Sequence, residues 1–159
     1  MNLSHFSDDP VERMLFAHQD GKGVGVYKPC GLWISVDGPD DWPSWCKDEN
    51  FRDVDEQYRY AVHLAKRHRV LVLDTLHEMI AFNREYRVDV GFLHDQIDWA
   101  RVAQDHDGVI IAPYHWDLRL ENDFFWYYGW DCASGCIWHP RAVERLELIH
   151  APQRKSEAA

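Results

Sequence analysis

The sequence predicts an α+β domain: a split, largely antiparallel β-sheet core with about three short helices. Three observations predict it. Apolar and polar residues alternate over residues 58–65, the period of two that marks a half-buried strand. Thr75 followed three residues later by Glu78 opens a helical repeat, the signature of a capping box. Finally, six or seven strand-like runs outnumber the helical ones and are not regularly separated by them, which disfavours a doubly wound parallel sheet.

Length and charge bound the rest. The chain has 159 residues, of which 46% are hydrophobic and 28% charged, ordinary values for a globular domain of this size. Residues 1–150 are expected to form one domain and residues 151–159 a flexible, polar tail. The formal charge is -10, so a protein that coats nucleic acid through its phosphates is excluded; only residues 57–87 are net basic. No apolar run reaches the 18 or more residues of a membrane span, and residues 1–10 are polar and acidic, so no membrane association and a cytoplasmic monomer are expected. The four cysteines then read as reduced thiols. The abnormal number is 8 Trp.

In chain order, residues 14–18 form an apolar run ending in His18, read as an opening strand before the glycine-rich residues 21–25. Residues 31–36 are a second strand, stopped by Asp37, Gly38 and Pro39. A short helix over residues 42–51 follows, with Asp40 or Asp41 as cap and Pro43 in the first turn, where its missing N–H does no harm. After the strand 58–65 and a basic turn, Val70, Leu71, Val72 and Leu73 make a continuous apolar strand expected to be buried on both faces. The capped helix covers residues 76–86, with Leu76, Met79, Ile80 and Asn83 inward. A further helix is expected over residues 95–104, with Ile97, Ala100, Val102 and Ala103 inward. The remaining strands are residues 109–112, 124–128, 135–138 and 146–149.

Motifs for dinucleotide-binding, P-loop, nucleophile-elbow and zincin chemistry are missing from the sequence. Cys132, Cys136 and His139, with Cys30 or Cys46, would be a zinc set, but a Cys-x-x-x-Cys in a strand spaces its thiols badly, and no metal is expected. Residues 126–138 are too aromatic and too glycine-punctuated for a purely structural strand. Within them Asp131 lies between Trp130 and Cys132, and a carboxylate in an apolar cleft is a functional candidate.

The order of these segments resembles the ADP-ribosyltransferase-like superfamily, in particular its small single-domain phage and bacterial members. The matching parts are the opening run ending in His18; Lys28-Pro29-Cys30-Gly31-Leu32-Trp33-Ile34-Ser35, similar to a Gly-aromatic-x-Ser strand; residues 58–73; residues 97–110; and the closing Ser134-Gly135-Cys136-Ile137-Trp138-His139-Pro140. The resemblance implies a sheet that clamps NAD as substrate, releases nicotinamide and transfers ADP-ribose to a protein or nucleic-acid acceptor. It implies that Asp131, His18 and Ser35 are catalytic, His18 bonding the ribose or carboxamide, and that Trp33, Lys28, Ser134 and Trp130 bind NAD. The sequence departs from the family at Ser134, where a Glu would begin the last strand. Asp131 is therefore the expected acid, with Glu121, Asp123 and Asp117 in reserve. Two other readings stay open: an acidic binding or inhibitor module of the same fold without catalysis, and a zinc-supported interaction domain.

Overall fold

In a computed structural model that describes residues 1–19, 28–89 and 96–153, the chain is α+β with a mostly antiparallel sheet. Nine strands are described: β1 (Leu3–Ser7), β2 (Leu32–Val36), β3 (Tyr58–Leu64), β4 (Val70–Leu73), β5 (Arg87–Val88), β6 (Gln96–Ile97), β7 (Gly108–Ile111), β8 (Ser134–Ile137) and β9 (Val143–His150). The three α-helices are α1 (Trp42–Asp48), α2 (Leu76–Tyr86) and α3 (Trp99–Asp105). Seven strands make one sheet in the order β4-β7-β8-β2-β1-β3-β9, and β5 and β6 pair apart from it. The sheet is continuous where a split one was expected, because β8 pairs with both β7 and β2. Only β4 and β7 run parallel, a pairing that requires a crossover, and α2, β5, β6 and α3 supply it.

The opening strand is not where the sequence placed it. Residues 14–18 are irregular, although the Ala17 N–H donates to Trp138 O at 2.9 Å. The first strand is β1, in the interior of the sheet, with Ser4 opposite both Ser35 of β2 and Ala61 of β3. Its polar side chains are used: buried Ser4 donates to Asp37 Oδ1 at 2.8 Å and accepts from Arg59 Nη2 at 3.0 Å. Residues 124–128 are a second correction. They lie in a 3₁₀ segment, Asn122–Gly129, that turns Phe124, Trp126 and Tyr127 into the core.

α1 and α2 form for the reasons the sequence supplies. Asp41 accepts from Ser44 N with Pro43 in the first turn of α1, and Thr75 and Glu78 close a reciprocal capping box on α2. The buried face of α2 is rotated from the expected one: Met79, Phe82, Asn83 and Tyr86 are buried, whereas Leu76 is exposed. α3 begins at Trp99, with Asp98 as its cap, and buries Trp99 and Val102; the expected start at Asp95 lies outside the described residues. β4 is half-buried at Leu71 and Val72 because it is an edge strand.

The core gathers aromatic rings from four places in the chain. Trp99 packs against Trp126, Trp130 and Trp138 at centroid distances of 5.9, 6.3 and 6.4 Å. All four are fully buried, so half of the tryptophans serve packing, each worth roughly 2–3 kcal/mol of apolar burial. Asn83 is the polar member: its Oδ1 accepts from Trp126 Nε1 at 2.9 Å and its Nδ2 donates to Asp123 O at 3.1 Å. No helix among the described residues is long and apolar enough to cross a membrane. The glycine loop at 21–25 and residues 154–159 of the expected tail lie outside the described residues.

Candidate functional site

A cleft of about 440 Å³ opens where β1 and β2 meet α1 and residues 131–134, a volume in the range of small-molecule sites. The β2–β8 register sets Ser35 opposite Ser134 at its floor. Both serine hydroxyls already have structural partners: Ser35 Oγ accepts from Trp42 N at 2.9 Å, seating the start of α1, and Ser134 Oγ donates to Cys132 O at 2.9 Å.

One wall is built around Asp131. Its Oδ2 lies 3.6 Å from Lys28 Nζ and its Oδ1 3.8 Å from Arg119 Nη2. Each cation also rests on aromatic surface: Lys28 Nζ is 5.1 Å from the Trp33 ring centroid, and the Arg119 guanidinium lies 5.8 Å from Trp116 and 5.4 Å from Tyr128. Trp33 in turn meets Trp130 edge-on at 4.9 Å. The far wall is a polar chain: Gln57 Nε2 donates to Asp8 Oδ1 at 2.8 Å, Gln57 Oε1 accepts from Trp42 Nε1 at 3.3 Å, and Arg52 donates to Asp8 at 3.0 Å. Only this amide orientation satisfies both neighbours, since a carboxylate cannot donate and an indole N–H cannot accept. Trp42 stacks on Trp45 at 5.2 Å and 17°.

Of the residues singled out in the sequence, Lys28, Trp33, Ser35, Asp131 and Ser134 line this one cleft. Trp130 does not; it is fully buried and supports Trp33 from behind. His18 is not at the cleft either. It is exposed beside Phe16, next to Ala17, which bonds to Trp138 beyond the far end of β8. The histidine of the opening strand is His5, whose Nδ1 is 2.6 Å from Trp33 O. A carbonyl only accepts, so Nδ1 carries the proton; burial lowers the pKa of the ring, leaving it neutral with a lone pair on Nε2. The reserve carboxylates Glu121, Asp123 and Asp117 are exposed and do not line the cleft, and Asp123 sits 3.6 Å from Arg87.

The sequence reading missed Phe6, Asp8, Phe51, Arg52 and Gln57. For Phe6 and Asp8 the sequence carried no signal, because residues 3–7 do not alternate and Asp8 follows the strand. For the others there was none, because residues 51–57 are mostly irregular.

Thiol chemistry fits the cleft badly. Burial pushes the Cys132 thiol up to about 12, so this cleft residue is protonated and a poor nucleophile. Among the described residues no group of three or more His, Cys, Asp or Glu side chains is placed to share a metal ion, and Cys132, Cys136 and His139 do not converge. What the arrangement can do is hold a planar group against Trp33 or Trp42 and present carboxylates to a developing positive charge, Asp131 from one wall and Asp8 from the other. No family model, curated protein or solved structure matches the chain.

Proposed function

We propose that the chain is an ADP-ribosyltransferase-like protein that cleaves NAD in this cleft and passes ADP-ribose to a protein or nucleic-acid acceptor. The observation that carries the reading is the convergence of Lys28, Trp33, Ser35, Asp131 and Ser134 on one cleft from two stretches of the chain about a hundred residues apart, 28–35 and 131–134. Breaking the bond between C1′ of the ribose and the nicotinamide nitrogen sends the electron pair to nicotinamide and leaves an oxocarbenium-like centre. A carboxylate beside that centre stabilises it electrostatically, and Asp131 is the one so placed in this reading. Trp33 supplies the stacking surface for the leaving ring. A lone pair of the acceptor then forms the new bond to C1′ and its proton goes to solvent. No described histidine lines the cleft, so the ribose or carboxamide contact expected of His18 is left to other groups in this reading.

The test is nicotinamide release from NAD by the purified protein, with transfer of adenine-labelled ADP-ribose to macromolecules of a lysate. Asp131→Asn is expected to slow release by about a hundredfold or more, the usual loss of one electrostatic stabiliser. Folded protein that neither binds NAD nor releases nicotinamide refutes the proposal. A second reading, a nucleotide-binding module without turnover, is favoured by one observation: Lys28 and Arg119 already pair with the charge on Asp131. Saturable NAD binding with no release would establish that reading.

A further inference from the structure

The only net-basic stretch of the chain becomes part of a larger surface in the fold. The turn between β3 and β4 presents Lys66 and Arg67, both exposed and without an ion pair among the described residues. The Ala65 N–H donates to Ala142 O at 2.9 Å, which sets this turn against Arg141. Arg141 and Arg69 meet on Asp107 Oδ1 at 2.7 and 3.1 Å, yet each keeps about half of its side chain exposed. The Arg141 N–H donates to His139 Nδ1, and the His139 ring meets Phe16 edge-on at 5.4 Å, with His18 a further 6.3 Å from Phe16. Phe16 is 55% exposed, an unusual position for a Phe that covers no core. The acids beside these cations are Asp107, whose side chain is buried, the exposed Asp105, adjacent to the Gln104 carbonyl that accepts from Arg69 at 3.4 Å, and Glu144 of β9.

We propose that this end of the molecule binds a single strand of nucleic acid, with Lys66, Arg67 and the outer faces of Arg69 and Arg141 on its phosphates and Phe16, flanked by His18 and His139, stacking on a base. Forked guanidiniums suit phosphate oxygens, and exposed rings beside them distinguish a nucleic acid from an acidic peptide, which has no base to stack. The surface is separate from the cleft: it lies past Ile137, whereas Ser35 and Ser134 mark the other end of the β2–β8 ladder, and none of its residues lines the cleft. The inference therefore does not depend on NAD chemistry. The acidic remainder of the chain confines contact to this patch, so the site is short.

The experiment is fluorescence anisotropy of the full chain with a labelled oligothymidylate of about a dozen nucleotides. About four phosphate contacts, one per cation, give a slope near -3 in log affinity against log salt, hence about a fifty-fold loss between about 50 and about 200 mM. Arg67→Glu is expected to weaken binding about tenfold, while Lys47→Glu, the same change in net charge on exposed α1, leaves it within about twofold. Phe16→Ala is expected to lose about fivefold or more. The proposal is overturned if the wild type does not bind at low salt or if the two charge reversals weaken binding alike. It is equally overturned if Phe16→Ala has no effect, or if polyglutamate competes as well as the oligonucleotide does.

Discussion

Asp107 fastens three strands at one point, and replacing it with Asn gives the sharpest test of how the sheet is held. Its carboxylate, 1% exposed, accepts from Arg69 N and Arg69 Nη2 at 3.1 Å each and from Arg141 Nη2 at 2.7 Å and Nε at 3.2 Å. Its backbone carbonyl accepts from Trp138 N and His139 N, and its N–H donates to Arg69 O. The start of β4, the start of β7 and the end of β8 therefore meet here. Burial works against ionisation, but the hydrogen bonds from Arg141 and Arg69 win and hold the carboxyl at about 2, against 3.8 ordinarily. A depression of nearly two units corresponds to about 2 kcal/mol in favour of the ionised folded state.

Asp107→Asn keeps the volume but loses the charge and turns one acceptor into a donor facing guanidinium. The expected cost at pH 7 is about 2–3 kcal/mol, or roughly 5–10 °C in Tm for a domain of this size. Because the folded pKa is depressed, this contribution is fully present above the unfolded value near 4 and disappears as pH falls toward 2. Urea unfolding followed by tryptophan fluorescence should thus show wild type and variant far apart at pH 7 and converging in acid. A variant within about 0.5 kcal/mol of wild type at pH 7, or a gap unchanged at pH 2.5, would refute the reasoning.

Three further outcomes are expected. Gly31 has φ +154° and a Cβ there would stand 2.5 Å from Ile137 O, so Gly31→Ala should cost about 2 kcal/mol or more by thermal unfolding, while Gly38→Ala, with open space around it, should change Tm little. Asn83→Ala strands the buried Trp126 N–H and should cost about 1–3 kcal/mol in chemical denaturation; a neutral variant would mean that Trp126 finds another acceptor. Of the four cysteines only Cys30 is exposed, and burial raises the other three thiols, so a thiol reagent should label one Cys per native chain quickly and all four only after unfolding.

Where local chemistry decides an element, the sequence was readable. The Thr75–Glu78 box, Asp41 with Pro43, and the alternation of β3 are each complete within a few residues, and all three elements formed as expected. β1 was not readable in this way, because its Ser4 is buried by partners 33 and 55 residues away, Asp37 and Arg59. The run at 124–128 misled for a related reason: its aromatics pack on Trp99 and Phe82, which come from other elements, so they turn in a 3₁₀ path rather than alternate. In the site, residue types were legible and geometry was not. Asp131 stood out between aromatic neighbours, but its pairing with Lys28 and Arg119 is long-range, and His18 lost its place once the first strand moved to residues 3–7.

The position of β1 has a consequence for how the molecule comes together. Among the described strands it alone joins the β4-β7-β8-β2 block to the β3–β9 pair in the sheet, and it is five residues long. Both of its neighbours, β2 and β3, follow it in the chain, so it must wait for both before it is clamped. A chain shortened by its first eight residues would hold two half-sheets with matching raw edges on β2 and β3, a slot shaped for one strand. A synthetic peptide carrying the Leu3–Ser7 sequence should close that slot and restore cooperative unfolding, making the protein a natural candidate for assembly from two pieces.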